Sequence, residues 1–92
     1  MAEIERVKTI PLTVPLDDVA EKTTYTQLEL KAPTLSQAEQ FYEKQAASTT
    51  LAAMRLLIAL VSGTRESVLQ PMDFLDFRKC EEYLLSFLTW KP

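Results

Sequence analysis

At Ala32-Pro33-Thr34 the hydrophobic period of this 92-residue chain changes, and no single regular element can span the change. Before it, Ile10, Leu12, Val14 and Leu16 alternate with Pro11, Thr13 and Pro15, the period of two that a half-buried strand requires. Thr23 to Lys31 alternates again, with Thr24, Thr26, Leu28 and Leu30 on one face and Tyr25, Gln27, Glu29 and Lys31 on the other. Asp17 to Lys22 forms a polar connector, so the two strands are expected to make an antiparallel hairpin over about residues 7–31. Pro11 and Pro15 remove backbone donors, which places the first strand at an edge or paired on one side only. Two strands alone are marginal in water, so the hairpin must pack on helices or on another copy.

Beyond the change the period is helical. Thr34 with Gln37 three residues on is a capping box that opens a helix through about Ala47. Its apolar positions are sparse (Leu35, Ala38, Phe41 and Tyr42), which predicts a mostly solvated helix. Ser48-Thr49-Thr50 supplies the next cap. Leu51 to Val61 is apolar almost all round and ends at Gly63, the only glycine. Such a helix fits a dimer or larger assembly, and equally a four-element fold that covers it. Thr64 to Gln70 reads as a single helical turn or loop with Val68 and Leu69 inward.

Pro71 to Leu88 has a specified start, with Asp73 as N-cap, Asp76 in the capping-box position and Met72 and Phe77 as a hydrophobic staple. At about 100° per residue, Phe87, Cys80, Leu84, Phe77, Leu88, Phe74 and Leu85 share one arc of roughly 160°. Leu75 and Tyr83 fall outside it. Five of the eight aromatics lie in or just after this segment. Residues 89–92 are expected to fray. The fold class is therefore α+β: an N-terminal β-hairpin followed by three main α-helices and a short helical turn, in a single small domain over 1–92 with its helical part at about 35–88.

Composition bounds the function. A net charge of −3 with scattered basic residues argues against nucleic acid or an anionic membrane as the main partner. There is no histidine and one cysteine, which removes the usual general base, an internal disulfide and Cys-based metal sites. Cys80 falls on the apolar arc and is expected to be a buried small hydrophobe. The charged, alternating start MAEIERVKTI has no apolar signal region, and the apolar run at 51–61 is too short to span a bilayer. The carboxylate pairs Asp17/Asp18, Asp73/Asp76 and Glu81/Glu82 read as turn, cap and surface residues. The expectation is a non-enzyme with no cofactor and no metal. Arg55, which interrupts the apolar helix, is expected to pair with a local acid or to contact a partner.

Three strings, TQLELKAPT at 26–34, LAAMRLLIALVSG at 51–63 and QPMDFLDFRKCEEYLLSFL at 70–88, resemble in order and spacing the tail assembly chaperone family of contractile-tailed (Mu-like and P2-like) phages and prophages. The resemblance implies a protein of the host cell cytoplasm. It would bind the tape-measure protein and other tail assembly proteins, holding the former soluble while the tail forms. A small structural tail or baseplate component and a cytoplasmic adaptor are the alternatives. For contacts with a partner the candidates are Leu75, Tyr83, Trp90 and Arg55, with Leu75 and Tyr83 expected to be replaceable by alanine without loss of the fold.

Overall fold

A computed structural model describes residues 4–90, and its strands pair as the alternation requires. Strand β1 (Val7–Asp18) runs antiparallel to β2 (Thr23–Lys31) in a two-stranded sheet, closed by a four-residue turn rather than the expected six. The ladder is regular from Val7↔Lys31 to Pro11↔Gln27 and resumes at Leu16↔Tyr25, so Leu12 to Pro15 are spanned on β2 by Thr26 alone. This bulge interrupts the alternation seen in the sequence: Ile10 and Leu16 are buried, whereas Val14 between them is exposed. The inward face of β2 buries Leu28 and Leu30.

The helices follow as α1 (Leu35–Ala47), α2 (Thr50–Ser62), α3 (Glu66–Leu69) and α4 (Phe74–Leu88). Their ends are set by local chemistry. Thr34 and Gln37 form the reciprocal capping box, and the Thr49 hydroxyl accepts the Ala52 N–H at 3.0 Å. Gly63 closes α2 at φ 72°, in the left-handed region where a side chain is strained, with its N–H on the Ala59 carbonyl. Helix α1 buries only Phe41, as its sparse apolar pattern predicts. Helix α2 buries Ala53, Met54, Leu57, Ile58 and Val61. The domain's own elements therefore cover much of the all-round apolar helix, because the hairpin, α1, α3 and α4 all pack against it, but leave Leu51 half exposed. Val68 and Leu69 point inward from α3. Thr89 ends α4 and Trp90 donates its N–H to Phe87; of the residues expected to fray, 91 and 92 lie outside the described residues, as does 1–3 of the charged start.

Asp76 departs furthest from its sequence reading. It does not cap α4; Asp73 alone does so, through the Leu75 N–H. The Asp76 carboxylate is fully buried and reaches across to the bulge of β1. The Thr13 nitrogen lies 3.0 and 2.9 Å from its two oxygens, and the Val14 nitrogen 3.2 Å from Oδ2. Lys79 Nζ approaches Oδ1 at 3.4 Å. The bulge frees backbone donors that have no strand to pair with, and the carboxylate satisfies them. A second tie holds the hairpin tip: buried Asp18 accepts the Glu21 N–H and pairs with Arg65 at the start of α3.

Burial pushes the Asp76 carboxyl pKa up, but the Thr13 and Val14 N–H groups and the Lys79 ammonium together hold it below its ordinary value of 3.8. A carboxyl lowered on folding contributes stability that is present above its unfolded pKa and is lost as pH falls through its folded one. Acid unfolding should therefore show a limb below about pH 4 that Asp76→Asn removes. Asp76→Ala should cost about 2 kcal/mol at neutral pH, read by urea unfolding, because it leaves the part-buried Thr13 and Val14 hydrogen bonds without their acceptor.

Candidate functional site

The turn of α4 toward β1 decides which of its apolar side chains stay outside. Its buried residues are Asp76, Cys80, Tyr83 and Leu84. On a helical wheel this arc is rotated by roughly 60–70° from the one counted on apolar residues alone. Two members of the expected arc consequently leave the core: Phe74 is 52% exposed and Leu85 is 39% exposed. Tyr83, expected outside the core, lies inside it at 7% exposure, and its hydroxyl donates to the Glu5 carbonyl instead of water. Burial, then the nearby Glu5 charge, raise its pKa, against the lowering effect of Arg6.

Phe74 lies against Phe77, ring centroids 5.6 Å apart and nearly parallel, and the Arg78 guanidinium sits 4.6 Å from the Phe74 centroid. Together with Met72 and Leu69 these rings meet Leu51 and Ile58 of α2 around an open groove of about 150 Å³. Arg55 and Gln70 supply the polar part of its lining. Arg55 Nε lies 3.4 Å from Glu66 Oε1, the pairing with a local acid that its sequence position suggested. Leu51 and Phe74 form half-exposed apolar margins. A larger hollow of about 480 Å³ lies between β1 and α4, but Glu5, Lys8, Lys79 and Glu82 line it beside Ile10 and Tyr83. Mixed charges of that kind hold water better than an apolar segment.

The four candidate contact residues do not form one site. Arg55 lines the groove. Leu75, 70% exposed, lies one residue past Phe74 but turns about 100° away from it. Trp90, 53% exposed, is about 22 Å from Leu75 at the other end of α4. Tyr83 is in the core. Met72, Phe74 and Phe77 are linked in the sequence as staple and arc, but nothing there joins them to Leu51, because the groove's two sides meet only when α4 docks beside α2.

Chemistry of other kinds finds little purchase. Cys80 is fully buried, and burial, reinforced by the Asp76 charge and only partly offset by Lys79, pushes its thiol up to about 12. Among the described residues no group of three or more His, Cys, Asp or Glu side chains could hold a metal ion, and no helix is long and apolar enough to cross a membrane.

The chain is thus a small hairpin-and-helix domain with an open apolar groove and a buried thiol. Residues 9–89 match the family model described as "Phage tail assembly chaperone proteins, E, or 41 or 14", and the chain belongs to that family. No curated protein and no solved structure matches the chain significantly. Membership of a chaperone family points to a non-enzymatic role in assembling the tail with other tail proteins.

Two substitutions separate the surface from the core of α4. Leu75→Ala should change stability by no more than about 0.5 kcal/mol, whereas Tyr83→Ala should cost about 3 kcal/mol or more in urea unfolding. Cys80 should resist a thiol reagent in the native chain and react promptly once the chain is unfolded.

Proposed function

We propose that this chain binds the tape-measure protein in the host cell cytoplasm and keeps it soluble until the tail tube assembles around it. The observation that carries the reading is the open groove bounded by Leu51 and Phe74, an apolar surface that the domain leaves unfilled although it buries Ala53, Met54, Leu57, Ile58 and Val61 of α2. A long helical protein with an apolar stripe exposes the kind of surface such a groove can cover. Family membership supports the choice of a tail protein as partner. The net charge of −3 supports a solubilising role, since a charged coat keeps a masked complex dispersed.

Within this reading Phe74 and Leu51 grip the apolar stripe, and the Arg55 stem completes the floor while its charge stays paired with Glu66. Leu75 and Trp90 offer separate contacts toward either end of α4, and Tyr83 anchors that helix to the core.

Co-expression with the tape-measure gene product tests the proposal. The wild-type chain should keep that product in the soluble fraction and co-purify with it. The double variant Leu51→Ser/Phe74→Ser should stay folded by circular dichroism yet lose at least about tenfold in affinity, the effect of removing two half-buried apolar contacts. A tape-measure product that precipitates equally with and without the wild-type chain would refute the function. Undiminished capture by the double variant would refute the groove.

A further inference from the structure

The side of α4 that the core does not take has a regularity of its own. Counting from Phe74, Arg78 lies four residues on, Glu81 seven and Leu85 eleven. At about 100° per residue these four fall within roughly 60° of one another, on a crest between half-buried Phe77 and Leu88 on one flank and Leu75 on the other. Phe74 and Leu85 stand exposed at its two ends, and Arg78 pairs with Glu81 between them. The guanidinium is exposed and the carboxylate sheltered. Steps of four, three and four residues are those of a seam along which two helices pack at about 20°.

The order of the four residues selects what fits the seam. Phe-Arg-Glu-Leu along the crest becomes Leu-Glu-Arg-Phe when read from the other end, which opposes apolar to apolar and cation to anion. An antiparallel copy turned about a two-fold axis between Arg78 and Glu81 therefore sets Phe74 against the second copy's Leu85 and Arg78 against the second copy's Glu81. Each contact occurs twice, as in any isologous interface. A parallel copy would oppose Arg78 to Arg78 and Glu81 to Glu81, which is repulsive. A guanidinium has five N–H donors, more than its own Glu81 can occupy, so both Arg78 side chains can bridge both Glu81 carboxylates. Exposed ion pairs gain most when they join in such a network. The crest carries no net charge in a chain of charge −3, so it adds no repulsion of its own between two acidic copies.

We propose that two copies associate through α4, antiparallel and with their axes about 8–10 Å apart, about a two-fold axis between Arg78 and Glu81. The contact covers Phe74 and Leu85, the two members of the apolar arc that the rotation of α4 leaves outside the core. It uses the same patch on both copies, so association closes at two. A single helix pair buries less than a standard interface, so the dimer forms only in concentrated chain. Dilute chain keeps Phe74 free for a tape-measure helix, and concentrated chain shelters it. That consequence rests on the function proposed above; the dimer itself does not.

Sedimentation of the full chain without any tape-measure product tests the dimer separately from that function. The mass should rise from the 10.5 kDa monomer toward twice that value as the chain is concentrated from micromolar to millimolar. Arg78→Glu and Glu81→Arg should each stay folded by circular dichroism and dimerise at least about tenfold more weakly, because like charges then meet across the axis. An equimolar mixture of the two should regain the dimer, since each variant carries the charge complement of the other. Crosslinking with a bismaleimide much shorter than 16 Å, the offset of about 11 residues along a helix, gives a second readout. Phe74→Cys and Leu85→Cys chains should crosslink to one another but not to their own kind, whose equivalents are separated by that offset. Cys80 is buried and does not compete. A wild-type chain that stays monomeric to millimolar concentration, a mixture no more dimeric than its parts, or crosslinking as strong within each cysteine variant as between them would each overturn the proposal. Should a charge reversal unfold the chain, the wild-type mass and the crosslinking decide.

Discussion

The carboxylate of Asp76 is the point on which the two halves of this domain meet. A β-bulge leaves backbone N–H groups without a strand partner, and a buried amide without an acceptor costs about 1–3 kcal/mol. Asp76 takes those of Thr13 and Val14 and draws Lys79 toward the same oxygens. A charge in this position is tolerable because it is met by donors on several sides. The same contact sets the rotation of α4 on the hairpin, so a local irregularity of β1 decides the orientation of an element more than sixty residues away.

That rotation connects fold to function. With Asp76, Cys80, Tyr83 and Leu84 turned to the core, Phe74 is left at the surface, stacked on Phe77 and facing the first turns of α2. Had the helix presented its most apolar arc to the hairpin, Phe74 and Leu85 would be core residues and the groove would be filled. The polar anchor thus leaves apolar surface outside the core. Arg55 fits the same scheme: Glu66 holds its charge while its stem lines the groove.

What could be read from the sequence is what short-range chemistry determines. The capping box at Thr34 and Gln37, the caps at Thr49 and Asp73 and the left-handed Gly63 each act within one turn, so the helices stand where their ends were expected. The alternation at Leu28 and Leu30 likewise placed β2. The bulge was hidden because Leu12 and Val14 continue the alternation through it. An angular count of apolar residues cannot assign a carboxylate to the core, so Asp76 passed for a cap and Tyr83 for a surface residue. The groove was hidden for the same reason, since its sides come from α2 and α4 and meet only after Asp76 has oriented the second of them. The resemblance in the three strings located the family without locating any contact.

The central claim is that the groove between Leu51 and Phe74 receives the apolar stripe of a tape-measure helix. Methyl and amide NMR shifts of the labelled chain, followed as tape-measure segments are titrated in, test it most directly. Saturable shifts confined to Leu51, Ile58, Leu69, Met72, Phe74 and Phe77 are the expected result. Shifts confined to the hairpin or to α1, with the groove unmoved, would contradict it.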